Sequence, residues 1–119
     1  MSKVFFNELK LEKSDIYLDA KGESQMVMMA DIMVKLEKEL SNYNPDVVLV
    51  PGDVNSSLAC ALVASRNGIK VGHIESGLRS FDRKMPEEIN RILIDDLSDF
   101  FFVTEQSGID HLTKEGKKK

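Results

Sequence analysis

The 119-residue sequence predicts an α/β fold built on a parallel sheet, and two observations carry that expectation. Short apolar runs rich in β-branched residues alternate with segments of about 12 residues in helical periodicity, the pattern of right-handed β-α-β units. Turn residues mark the boundaries between them.

Taken in order, the apolar residues Met26, Met29, Met33, Leu36 and Leu40 recur at three- and four-residue steps. This spacing gives one face of a helix from about Ser24 to Tyr43. Val27, Ala30 and Val34 widen that face, as in a helix covered on more than one side. Methionines so placed read as core filling. Asn44-Pro45 stops the helix, and DVVLVPG after it reads as a buried strand. VNSSLACALVASRNG, residues 54–68, is a small-residue helix closed by glycine. IKVGHIE is a second buried strand, followed by a loop through Asp82, a helix opened by Pro86, and FFFVTE as a third strand. A last helix runs from about Gln106 to Glu115, and there is no internal repeat, low-complexity tract or sign of a second domain.

A chain of this length makes one domain with one modest core. Its 42% hydrophobic and 30% charged residues are those of a globular protein rather than a disordered one. The net charge of −4 argues against nucleic acid as a partner, because binding to phosphates needs a clustered excess of Lys and Arg. The basic run at 114–119 reads as a frayed tail. A single cysteine, Cys60, excludes an intrachain disulfide and fits a reducing compartment; on its small-residue helix it reads as a buried thiol. No apolar stretch approaches the ~18–20 residues of a membrane helix, and MSKVFFNEL lacks a secretory segment, so a cytoplasmic protein without a membrane partner is expected.

In open parallel sheets ligands bind beyond the carboxyl ends of the strands. Asp53 follows the first strand, Glu75 closes the second, and Thr104 and Glu105 close the third, so all fall on one rim. Pro86 starts a helix with Glu87 and Glu88 in its first turn, where the helix dipole favours carboxylates. Each residue has a plainer reading. Asp53 can cap the following helix, and Glu87 and Glu88 can be surface residues with Arg91 pairing to Glu87 four positions on. His73 shares a sheet face with Glu75, although a strand histidine is more often a hydrogen-bonded core residue than a catalyst. GDVNSS has neither the dinucleotide-binding nor the P-loop spacing.

Three motifs, GDVNS, HIESGLRS and MPEEINR, within PDVVLVPGDVNSSLACALVASRNGIKVGHIESGLRSFDRKMPEEINRILIDDLSDFFFVTEQSG, resemble the middle of the non-hydrolysing UDP-N-acetylglucosamine 2-epimerases. VFFNEL is similar to an upstream part of the same domain. The resemblance implies a three-layer Rossmann-like fold forming an incomplete half of a GT-B-type two-domain enzyme, with residues 1–119 as one partial N-terminal domain. It implies that UDP is eliminated across C1–C2 of the sugar and added back with inversion at C2, without metal or other cofactor. By motif Asp53, Glu75 and Glu87 fall on the family's acid/base carboxylates, and Arg91 falls on an arginine near the same site. His73 and Arg79 join Arg91 as candidate substrate-binding residues. A carboxylate cluster suits this chemistry, because like charges raise the pKa of at least one member towards that of a useful base.

Against the family pattern, the chain lacks a first strand, a Gly-Thr-Arg-Pro turn, a helix and a further strand. It also stops at KEGKKK, before the second domain that carries the main UDP contacts and the catalytic histidine. His73 and His111 do not match that histidine's motif. Ser76 stands where the family usually has Ala. The expectation is therefore an epimerase-like chain without turnover alone, binding UDP-N-acetylglucosamine weakly or not at all. The alternatives are a sugar-nucleotide-binding or regulatory module that pairs with a complete epimerase, or a glycosyltransferase half-domain. The first two missing strands would leave the edge at Val47–Val50 open. Residues 14–20 would then pair with it, or the chain would dimerise or aggregate through that edge; a homo-oligomer or a complementing chain is the expected protein partner.

Overall fold

The structure, a computed structural model, describes residue 18 and residues 20–117. Among the described residues four helices and three strands alternate: α1 (Gln25–Tyr43), β1 (Val47–Pro51), α2 (Asn55–Arg66), β2 (Lys70–Ile74), α3 (Pro86–Leu97), β3 (Phe100–Phe102) and α4 (Gln106–Lys114). The strands form a parallel sheet in the order β1-β2-β3, with Val47 opposite Lys70, Pro51 opposite Ile74, and Gly72 opposite Phe100. The expected alternation and strand directions are those observed. The expected partner segment for β1, residues 14–20, lies mostly outside the described residues, as does VFFNEL.

Local chemistry explains the boundaries. The Ser24 hydroxyl accepts the Val27 N–H and starts α1, and Asn44 ends it in the left-handed conformation that asparagine tolerates. Gly68, at φ 73°, turns the chain from α2 towards β2. The core lies where α2 and α3 pack on one face of the sheet: Val50, Ala61, Ala64, Val71 and Ile94 form it with Leu40 of α1. A second cluster, Met29, Ile32 and Ala59, joins α1 to α2. Cys60 is half-buried against both clusters, and burial pushes its thiol pKa up.

The broad apolar face expected for α1 is not covered on two sides. Met26, Val27, Ala30 and Val34 are exposed, and the buried stripe is Met29, Ile32 and Leu40, flanked by Met33 and Leu36. Among the described residues α1 packs chiefly against one helix, α2, and one stripe is what it buries. On the sheet face opposite the core, Leu49, Phe100 and Phe102 are likewise exposed.

Candidate active site

The parallel register sends the ends of β1 and β2 to the same rim. Gly52, at φ 69°, makes the turn out of β1, and its N–H donates to the Ile74 carbonyl at 3.1 Å. Asp53 leaves from there. One strand over, Glu75 stands at φ 66°, a left-handed conformation that costs a non-glycine residue about 1 kcal/mol and that collects at functional sites. The Phe102 carbonyl holds it by accepting the Glu75 N–H at 3.0 Å. The Glu75 side chain is exposed on the rim. Asp53 and Glu87, with Asn55, Pro86 and Asn90, line a pocket of about 160 Å³. The fold thus joins Asp53 and Glu87 in one pocket and places Glu75 on the same rim outside its lining.

Asp53 does not cap α2. The cap position is Val54, and the Asp53 carboxylate instead receives Arg91 Nη1 at 2.7 Å. The helical pairing expected between Arg91 and Glu87 is also replaced, for Arg91 donates Nε and Nη2 to Glu88 Oε1 at 3.2 and 3.0 Å. Glu88 is buried, 1% exposed, contrary to its reading as a surface residue. Its two oxygens also accept the Ser80 and Phe81 N–H groups, each at 3.0 Å. Burial would raise the Glu88 pKa, but these backbone donors and the Arg91 guanidinium hold it below the usual carboxylate value. Asn90 completes the frame by donating to the Asp53 carbonyl and to Asn55 Oδ1.

His73 and Arg79, expected to face a ligand, point inward. The His73 ring is fully buried, with Nδ1 at 2.6 Å from Asp95 Oδ1 and Nε2 at 2.7 Å from the Gly52 carbonyl oxygen. That carbonyl can only accept, so Nε2 carries a proton. The Arg79 side chain is 1% exposed and meets Asp95 Oδ2 at 2.9 Å through Nη1 and Glu115 at 2.7 Å through Nη2. Burial would raise the Asp95 pKa, yet His73, the Gly77 N–H and Arg79 hold it low. The alternation of β2 puts His73 on the core face, opposite Val50, which is why the hydrogen-bonded core reading prevails for it.

Sequence reasoning missed Glu88 and Asp95 as buried carboxylates. A signal for them was present: Glu88, Arg91 and Asp95 fall at i, i+3 and i+7, one stripe of α3. A charged stripe on the face that also carries buried Ile94 marks a helix that buries ion pairs.

This arrangement, a parallel β-α-β sheet with carboxylates at the carboxyl rim over a framework of buried ion pairs, defines a Rossmann-like protein with a carboxylate-lined rim at its strand ends. The chain belongs to the UDP-N-acetylglucosamine 2-epimerase family, whose sequence profile matches residues 1–119. It is 49% identical over 116 residues to a UDP-N-acetylglucosamine 2-epimerase of Methanococcus maripaludis, covering 98% of this chain and 32% of that protein. It is 45% identical over 116 residues to the UDP-2,3-diacetamido-2,3-dideoxy-D-glucuronate 2-epimerase of Pseudomonas aeruginosa, covering 98% of this chain and 33% of the other. The solved UDP-GlcNAc 2-epimerase of Methanocaldococcus jannaschii superposes with a TM-score of 0.94 at 43% identity, covering 98% of this chain and 32% of that one. The same enzyme in complex with UDP-GlcNAc and UDP gives a TM-score of 0.92. The chain therefore spans about a third of the length of the relatives it matches.

Proposed function

We propose that these residues form the carboxylate wall of a UDP-sugar 2-epimerase acting on a 2-acetamido sugar, with UDP-N-acetylglucosamine as the substrate. The observation that carries this reading is the pocket shared by Asp53 and Glu87 at the strand ends, with Arg91 fixed against Asp53.

In the reaction one carboxylate takes the proton from C2 as the C1–O bond breaks and its electron pair leaves with UDP, giving a 2-acetamidoglycal. UDP oxygen then re-forms the bond to C1, while a carboxylic acid delivers a proton to C2 on the opposite face. Two groups on opposite sides of the sugar ring are needed, and Asp53, Glu75 and Glu87 supply the candidates. Arg91 fixes Asp53 on the pocket wall through a charge-assisted hydrogen bond from Nη1 to Oδ2. His73 and Arg79 act as positioning residues, since their polar atoms are engaged inside the protein. The two curated relatives are both UDP-sugar 2-epimerases with different sugars, which supports the shared chemistry at C2 more strongly than any one sugar.

The test is a chimera in which this chain replaces the matching third of the Methanococcus maripaludis enzyme. Incubated with UDP-N-acetylglucosamine in D2O, it should yield the manno epimer with deuterium at C2, and Glu75→Gln and Glu87→Gln should each abolish both signals. A folded chimera that exchanges no C2 proton refutes the reading.

A further inference from the structure

Arg91 could grip Asp53 with two parallel N–H donors, the preferred geometry of a guanidinium on a carboxylate, but it does not. Only Nη1 reaches Asp53, at 2.7 Å and to Oδ2 alone. The other edge of the guanidinium, Nε and Nη2, is turned to Glu88 Oε1. Glu88 cannot follow the guanidinium if it moves, because its oxygens are also anchored on the Ser80 and Phe81 N–H groups and the side chain is buried. Asp53 Oδ1 consequently receives no hydrogen bond among the described residues, and the Asp53 side chain is 34% exposed towards its pocket.

We propose that Glu88 is a positioning residue of the acid/base site: by occupying the Nε–Nη2 edge of Arg91 it limits Arg91 to a one-point contact and leaves Asp53 Oδ1 free to exchange a proton with a sugar. The inference rests on the epimerase reading for what Asp53 does, while the geometry it predicts can be read without turnover. Two roles of Arg91 are thereby reconciled. It anchors a carboxylate on the pocket wall, and it does so without capping the oxygen that the chemistry needs.

The consequence of removing Glu88 is specific. Arg91 has Asp53 as its other acceptor within reach, so in Glu88→Ala the guanidinium should swing to grip both Asp53 oxygens. NMR of the Arg91 Nε–H group in the 119-residue chain reports this directly. In the parent protein the Nε–H should exchange slowly with water, shielded by Glu88, and Asp53→Asn should leave that protection within about 3-fold, since Nε does not touch Asp53. In Glu88→Ala the Nε–H should shift yet keep protection, and adding Asp53→Asn to Glu88→Ala should abolish it, raising exchange by about 10-fold or more. A residue that only staples the 80–81 loop would not make Nε–H protection depend on Asp53. Should Glu88→Ala fail to fold, Glu88→Gln takes its place. There Asp53→Asn should accelerate Nε–H exchange more than in the parent, because a neutral amide holds the guanidinium less firmly. An unchanged Nε–H in the Glu88 variant, or one that exchanges freely with Asp53 intact, overturns the proposal. A chimera without C2 exchange but with these NMR results would refute the epimerase reading and leave the geometry of Glu88 standing.

Discussion

Gly77 and Gly108 approach so closely that a Cβ built on Gly77 would lie 2.4 Å from the Gly108 carbonyl oxygen. The contact presses the loop after β2 onto the first turn of α4, and His111 reinforces it by donating Nδ1–H to the Gly77 carbonyl at 2.7 Å. Gly77→Ala meets both that backbone and a φ of 84°, so it should lower stability by about 2–4 kcal/mol. Gly68→Ala is the matched control. Its φ is 73° but nothing lies within 4 Å, so the cost should stay near 1 kcal/mol. Urea midpoints for the two variants give the comparison, and equal losses would contradict the steric account.

The Ser76 hydroxyl is buried and has no hydrogen-bond partner among the described residues. A buried unpaired hydroxyl carries an unreturned desolvation cost, so Ser76→Ala should raise stability by about 1 kcal/mol. A lower melting temperature for the variant would show that the hydroxyl has found a partner in solution.

Acid should loosen the rim framework first. Glu88 and Asp95 both have folded-state pKa values below their ordinary ones. Their ionised forms therefore stabilise the fold fully above the unfolded-state value of roughly 4, and that contribution is lost as pH falls through the lower folded values. Unfolding free energy measured between pH 6 and pH 3 should fall with acidification, and Glu88→Gln should flatten the slope while lowering stability at pH 6. Asp95→Asn leaves buried Arg79 and His73 without their shared carboxylate and should cost about 3–5 kcal/mol at neutral pH. A parallel acid limb in Glu88→Gln would mean that Glu88 titrates alike in both states.

A polypeptide of these 119 residues should not epimerise UDP-N-acetylglucosamine by itself. The pocket of about 160 Å³ at Asp53 and Glu87 is below the ~300 Å³ at which pockets for small molecules begin, and elimination needs a site that holds the diphosphate and excludes water. Proton NMR of the anomeric signals after long incubation checks this. Turnover abolished by Glu75→Gln would show that the rim suffices.

The elements were legible because each announces itself locally. VVLV and IKVGHI carry β-branched and apolar runs, Pro86 opens α3 at its first position, and Ser24 caps α1 within a residue of the expected start. The rim position of Asp53 and Glu75 followed from strand direction alone. What could not be read was helix phase against the sheet. Glu87 and Glu88 are adjacent and chemically alike, and which of them turns inward depends on where α3 docks, a long-range fact. The same holds for Arg91, whose partner at four residues was the ordinary choice but whose actual partners are Glu88 and Asp53. The width of the α1 stripe misled for a related reason, because composition records apolar residues and not how many neighbours arrive to cover them.

The contrast between the two clusters under α2 and the ion pairs under the rim gives the molecule two opposite temperature responses. Contacts such as Met29 with Ile32 and Ala59 draw on water's aversion to apolar surface, which weakens on cooling. The Asp95 cluster with His73 and Arg79 is limited instead by the cost of stripping water from charge, and that cost falls on warming. Cold should therefore loosen α1 while the rim stays set, and heat should spare the rim longest.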